Sequence, residues 1–327
     1  MTIQDAKQYL KNNTPILLAG GISGAKVYDI AGEYVLKCVC RAELENVGQY
    51  DTYQKEAIWY EYTNSRKSGY RLSYLPEILD IYYTDEELAV LMKCYRTILR
   101  NELDTMLLKK IMEVLAAVHT TCIPAFLDQE QEGWQQKQSW KGTETQKQRN
   151  HHRQANLLSQ EQISASLAGW CSVLDEHPGI FSQTPLKQLA EKINRIIEWH
   201  AEEEAVLNHG DFHWDNLLFD KQGNILICDW QGVCVGAASG DLSFFFSRLN
   251  ADGIYPDEKE VISFYTRKVK QLSGKILDLE EICQHMDAAD IVTSFVFWHE
   301  YLHGNDVDRV GGIYKKMVDK FQNFCVL

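Results

Sequence analysis

No apolar run in the chain approaches the roughly 20 residues that a bilayer-spanning helix needs. The polar start MTIQDAKQYLKNN has neither the charged n-region nor the apolar h-region of a secretory leader. Both absences predict a cytoplasmic protein with no membrane partner. Basic residues are scarce: 33 Lys and Arg stand against 46 Asp and Glu, a formal charge of −13. A broad nucleic-acid surface needs clustered cations against phosphate, so that class is excluded and cationic or neutral partners are favoured. A disulfide framework is missing as well. The nine cysteines are odd in number and sit in apolar contexts such as LKCVC, LMKCY and LICDW, the pattern of reduced structural thiols. Cys38 and Cys40 have no second pair at zinc-finger spacing, and on a strand they share one face. No internal repeat of useful length is present.

What the chain does have is enough apolar material for a sizeable core: 45% hydrophobic residues over 327 positions, room for two domains. From Ile16 to Tyr95 short β-type runs alternate with glycine and polar clusters: ILLA, AKVYDI, EYVLKCVC, then ILDIYYT and LAVLMKCY across the acidic turn Asp85-Glu86-Glu87. This predicts an antiparallel sheet, interrupted by one helix near Tyr53 to Ser65 with Glu56, Trp59, Tyr60 and Tyr62 on a covering face. After Tyr95 the period changes. Leu107, Leu108, Ile111, Leu115 and Val118 keep the three-and-four spacing of a buried helical stripe. A domain boundary is therefore expected near Met92 to Arg96, giving residues 1–93 and 94–327. A Gln-, Lys- and His-rich stretch, about 128–160, reads as a polar insertion. Short strands return in VLNHGDF, NLLFD and NILICDW, with Lys221 to Asn224 as a hairpin turn, and helices fill the remainder.

The chemistry-bearing segment is His209-Gly210-Asp211-Phe212-His213-Trp214-Asp215-Asn216, followed thirteen residues after Asn216 by Asp229 in ICDW. Phosphoryl transfer needs a carboxylate to orient or accept the proton of an attacking hydroxyl, and hard oxygen ligands to hold magnesium against a triphosphate. A loop carrying Asp and Asn five residues apart, then a hairpin returning a second Asp, can supply all three. Asp211 is the candidate base, Asn216 and Asp229 the candidate metal ligands.

HGD-x4-N followed by ICDW resembles the aminoglycoside phosphotransferase and choline kinase superfamily. The resemblance implies an α+β, two-lobed protein-kinase-like fold with a small antiparallel N-lobe for nucleotide and a larger, mainly helical catalytic lobe. It implies ATP or GTP as phosphate donor, Mg2+ as its companion, and a small-molecule hydroxyl acceptor such as an aminoglycoside, an amino alcohol or a sugar. Residues from Gly21 to Tyr28, with Ser23 and Gly24, look like the nucleotide-binding loop, and Lys37 in Val35-Leu36-Lys37 matches the phosphate-binding lysine. Glu56 matches its helix partner, with Glu61 as the local competitor. Leu91 to Tyr95 falls at the hinge, so Met92, Lys93 and Tyr95 are expected beside the adenine. His209 and Asp241 are expected to hold backbone. Three departures stand out: Asp229 is followed by Trp230-Gln231 rather than Phe-Gly, the phosphate loop lacks G-x-G-x-x-G, and the end FQNFCVL is not acidic.

Two rival readings use the same residues differently. A nucleotide-binding pseudokinase would keep the fold without transfer, which the intact Lys37, Asp211, Asn216 and Asp229 argue against. A zinc hydrolase could be built on His299-Glu300-Tyr301-Leu302-His303, an H-E-x-x-H match without an evident third ligand. Acceptor selection is expected from the insertion, with Trp134 and Trp140, and from the helix carrying Trp298, Glu300 and His303.

Overall fold

A computed structural model of the chain describes residues 1–20, 24–44, 48–65, 72–128 and 157–324. The elements run α1 (Ile3–Asn12), β1 (Ile16–Gly20), β2 (Lys26–Ile30), β3 (Tyr34–Cys40), α2 (Gln49–Ser65), β4 (Ile78–Tyr83), β5 (Glu87–Lys93), β6 (Arg96–Thr97) and α3 (Thr105–His119). Next come α4 (Ala125–Asp128), α5 (Gln160–Asp175), α6 (Thr184–His200), β7 (Ala205–Asn208), β8 (Leu217–Phe219), β9 (Ile225–Ile227) and β10 (Cys234–Ala237). The last are α7 (Ala238–Ala251), α8 (Glu258–Ser273), α9 (Leu279–Thr293), α10 (His299–Leu302) and α11 (Val307–Gln322), with a π-turn, Ser294–Trp298, joining α9 to α10. Among the described residues no helix is long and apolar enough to cross a membrane. None of the eight described cysteines is in a disulfide.

The chain forms two compact units. The first comprises Met1–Thr120, Asn208–Cys234 and Pro256–Leu272. Its five-stranded sheet has the order β1-β2-β3-β5-β4, antiparallel at every pairing, and sets Lys37 of β3 opposite Val27 and Val90. The aromatic and β-branched runs seen in the sequence are these strands. Helix α2 turns Tyr50, Tyr53, Glu56, Ala57, Trp59 and Tyr60 inward. The apolar stripe of α3 is buried along its length, each such side chain stabilising by about 1.5–3 kcal/mol relative to exposure. Helix α8 is fastened to α3 by Tyr265, whose hydroxyl meets His119 Nδ1 at 2.7 Å, and by Lys268 to Glu113 at 2.7 Å. A second, three-stranded sheet, β6-β8-β9, carries the hairpin. Asp220 Oδ1 accepts from the N–H groups of Gln222 and Asn224 at 2.8 Å, and Gly223 takes φ +81°, which fixes the turn.

The second unit comprises Thr121–Leu207, Val235–Tyr255 and Ser273–Leu327. Helices α5, α6, α9 and α11 bury Trp170, Ile193, Ile291, Phe295 and Met317 together. The π-turn has a partner for its backbone: Trp170 Nε1 donates to the carbonyls of Ser294 and Phe295 at 3.2 and 3.1 Å. Asp290, nearly buried, is held by Lys316 at 3.0 Å and Lys320 at 2.7 Å, and Lys320 also reaches Asp287 at 2.8 Å. Glu203 caps the start of α7, accepting the Ser239 N–H at 3.0 Å and the same residue's hydroxyl. His285 stacks on Trp199 at 4.0 Å between ring centroids, and burial lowers its imidazole to about 4.

Candidate active site

The site lies in the first unit and begins at the turn after β7. Gly210 takes φ +79°, and a Cβ there would stand 2.0 Å from the carbonyl oxygen of Gly232. Only glycine satisfies both demands. The loop that follows is cross-braced. The Asp211 N–H donates to His209 Nδ1 at 3.3 Å, which leaves the Nε2–H of that ring to donate to the Cys228 carbonyl at 3.0 Å. Asn216 Nδ2 donates to the Asp211 carbonyl at 2.9 Å and to Asp211 Oδ2 at 3.3 Å, while the Cys228 N–H donates to the Asn216 carbonyl at 3.0 Å. The five-residue spacing between Asp211 and Asn216 thus closes a small ring of polar contacts, with His213 Nε2 3.6 Å from Asp211 Oδ2. Burial raises the Asp211 carboxyl, but the hydrogen bond and charge of His213, with His209 and Asn216, outweigh it and hold the group below the ordinary aspartate range. At neutral pH Asp211 is an anion.

The second half of the site is a buried ion cluster. Lys37 Nζ lies 2.7 Å from Glu56 Oε2 and 2.6 Å from Asp229 Oδ1. Burial disfavours the ammonium, yet the two carboxylates overcome this and keep Lys37 charged beyond the ordinary lysine range. Burial raises Glu56 against the pull of Lys37. Glu61, one turn on, points elsewhere and accepts from the Tyr83 hydroxyl at 2.7 Å. Asp229 has left-handed backbone angles, φ 62° and ψ 58°, which cost a non-glycine residue roughly 1–2 kcal/mol. Trp230 holds it there: the buried indole donates from Nε1 to the Ile227 carbonyl at 2.8 Å and packs on Trp59 at 5.0 Å and His209 at 4.7 Å. The neighbouring Cys228 thiol is pushed up to about 12 by burial and by the charge of Asp229, so it is inert as a nucleophile.

Among the described residues no group of three or more His, Cys, Asp or Glu side chains is arranged to hold a metal ion. Magnesium does not need such a cage, because it keeps several waters and binds through one or two carboxylates plus phosphate oxygens. Asn216 and Asp229 are oxygen donors of that hard kind, set on adjoining segments joined by the bond from the Cys228 N–H to the Asn216 carbonyl. They fit Mg2+.

The remaining nominated residues are distributed as follows. Gly24 takes φ +80°, and a Cβ there would press on Leu44 at 2.9 Å; Ser23 lies outside the described residues. Met92 pairs across the sheet with Val35 and Ile78. The Lys93 N–H and Nζ both turn to Glu77, at 3.0 Å each, and the Tyr95 hydroxyl accepts from the Glu77 N–H at 3.0 Å. Of the insertion, residues 129–156 fall outside the described residues, Trp134 and Trp140 with them. The HEYLH histidines do not converge. His303 Nδ1 meets Glu176 Oε1 at 2.7 Å, and the ring of His299 abuts Gly169, where a Cβ would lie 2.3 Å from His299 Nδ1. Sequence reasoning missed Gly232 and the packing role of Trp230. A glycine three residues beyond Asp229 was the available signal for the first, and a lone large aromatic beside a nominated ligand for the second.

No curated protein matches the chain in sequence. Solved structures do match in fold. With APH(2'')-IIa, in its ternary complex with streptomycin and ATP, the TM-score is 0.54 at 14% identity, covering 97% of this chain and 96% of that one. Plasmodium vivax ethanolamine kinase gives 0.55 at 14% identity over 96% and 83%. Spectinomycin phosphotransferase APH(9)-Ia, bound to ADP and spectinomycin, gives 0.51 at 14% identity over 97% and 93%. At these identities the likeness is one of fold, and the fold is the protein-kinase-like one. Residues 32–277, well over half of the chain, match the ecdysteroid kinase-like family. The chain belongs to that ecdysteroid kinase-like family.

Proposed function

We propose that this protein transfers the γ-phosphate of ATP to a hydroxyl of a small molecule, with residues 1–93 as the nucleotide lobe and 94–327 as the catalytic and acceptor lobe. The observation that carries the reading is the buried Lys37, bridging Glu56 and Asp229 beside the braced Asp211–Asn216 loop. Lys37 binds phosphate oxygens and Glu56 keeps it pointed. Asn216 and Asp229 hold Mg2+, which supplies charge neutralisation to the triphosphate when bound. The acceptor oxygen forms its bond to Pγ as the bond from Pγ to the bridging β–γ oxygen breaks, releasing ADP, and the hydroxyl proton passes to Asp211. A carboxylate held below the ordinary range is a weak base, so Asp211 chiefly orients the hydroxyl and takes the proton late, as a loose phosphoryl transition state permits. The nucleotide complexes of APH(2'')-IIa and APH(9)-Ia, which share the fold, support a purine nucleoside triphosphate, ATP or GTP, as donor.

Asp211→Asn tests the assignment. Transfer should fall about 10² to 10⁴-fold, the range for a positioned general base, with ATP binding retained by calorimetry; turnover near that of the unaltered protein would remove Asp211 from the mechanism.

A further inference from the structure

Lys37 has a third neighbour besides its two carboxylates. Its Nζ sits over the ring of Tyr53, 5.0 Å from the centroid. Tyr53 lies on α2 three residues before Glu56, and residues so spaced share one face of a helix. That face therefore offers the ammonium both a carboxylate and an aromatic surface. Tyr53 and Glu56 are fully buried, and Lys37 is nearly so. An ammonium carries three N–H donors. Glu56 and Asp229 stand within reach of two of them, at 2.7 and 2.6 Å. The π face of the ring attracts the cation without taking a hydrogen bond from it, and does so most strongly where water is excluded.

The two carboxylates differ in what else is asked of them. Asp229 is also a candidate magnesium ligand, and an oxygen that serves Lys37 at 2.6 Å is weakened as a partner once a dication shares it. Glu56 and Tyr53 both belong to α2, have no part in holding metal, and remain with Lys37 when Asp229 is shared. The same tyrosine also reaches the other half of the site. With Gln49, Thr52, Asp211, Gln231 and Gly232 it lines a cavity of about 230 Å³. A tyrosine ring has only two side-chain torsions and gives up little freedom when it is packed. One stiff ring thus borders both the phosphate-binding lysine and the space beside the Asp211 carboxyl.

We propose that Tyr53 is a positioning residue for phosphate transfer: its ring holds the Lys37 ammonium on the α2 side of the site, so that the lysine meets the nucleotide's phosphates while Asp229 turns to the metal. The inference rests on the phosphotransferase reading above.

The test compares ATP and adenosine binding by calorimetry on the full chain with magnesium. Tyr53→Met removes the ring and fills its space with a flexible side chain. It should weaken ATP about tenfold, within the range of a desolvated contact between a cation and a ring. Adenosine, which has no phosphate for Lys37 to meet, should bind as before. Tyr53→Phe keeps the ring face and should restore ATP binding to within about twofold of the unaltered protein. In a Lys37→Met protein the ring has no cation to hold, so adding Tyr53→Met should weaken ATP no further. Tyr53→Leu repeats the series if the methionine variant does not fold. Equal loss of ATP and adenosine overturns the proposal, as does an ATP affinity that is unchanged without the ring. A phenylalanine variant as weak as the methionine one, or a ring effect that persists in the Lys37→Met protein, overturns it too. A protein that binds neither ATP nor GTP sinks the phosphotransferase reading itself, whereas ATP binding indifferent to the ring sinks the Tyr53 assignment alone.

Discussion

Each unit sets lysine against a buried carboxylate, and the two clusters are balanced differently. In the helical unit Lys316 and Lys320 meet Asp290 and Asp287, two cations with two anions, all within 3.0 Å. Around Lys37 a single cation faces Glu56 and Asp229, and the adjoining loop adds a third carboxylate in Asp211. The first cluster closes on itself and needs nothing further. The second gathers three carboxylates about one lysine, an excess that an arriving cation can offset. Buried charge alone therefore does not mark a functional site in this protein; the imbalance does.

The comparison can be broken at its closed end. Asp290→Ala takes the buried carboxylate from Lys316 and Lys320, of which Lys320 keeps Asp287, and should destabilise the helical unit by about 1–3 kcal/mol, read by urea unfolding followed through hydrogen exchange in α9 and α11. A loss below about 1 kcal/mol would show that Lys316 and Lys320 are solvated well enough to stand alone. Acid sharpens the contrast next. His285 is lowered to about 4 in the fold, so protonation favours the unfolded chain: its stabilising contribution is present above about pH 6.5 and is lost as pH falls toward 4. Asp211 and Asp290, both held below the ordinary aspartate range, lose theirs only at lower pH still. Peptides of the helical unit should lose protection from exchange first on acidification, and His285→Gln should flatten that loss; equal sensitivity in both units would contradict it. The smallest effect belongs to the open cluster. Asp229→Asn removes part of the surplus charge, so stability should hold or rise by about 1 kcal/mol while magnesium no longer strengthens ATP binding. A marked fall in melting temperature would mean that the cluster is structural after all.

Much of the fold was legible because its signals are local. Alternating β-branched and aromatic runs located β2 to β5, and the stripe from Leu107 to Val118 located α3. Helix α1 was passed over as a polar start although Thr2 and Asp5 form a capping box, each accepting from the other's N–H at 3.2 and 2.8 Å. For the site, composition and spacing nominate Lys37, Glu56, Asp211, Asn216 and Asp229 but cannot place them. Lys37 and Asp229 meet across 192 positions. The choice between Glu56 and Glu61 turns on helix phase, which the even spread of aromatics around α2 does not declare. The cavity beside Asp211 was invisible for the same reason, since the polar Gln49 and Thr52 carry no mark of facing Gln231.

The two glycines pressed together at Gly210 and Gly232 act as a rivet. A Cβ on Gly210 would strike the Gly232 carbonyl, and one on Gly232 would sit 3.0 Å from the Gly210 carbonyl carbon. Neither position can be enlarged by shrinking the other, since neither has a side chain to give up. The loop of Asp211 and the turn after Asp229 are thereby denied independent travel, and any motion that opens this site has to carry both as one plate. Randomising the pair together should return glycine at both positions among active clones, leaving evolution no compensating partner through which to drift.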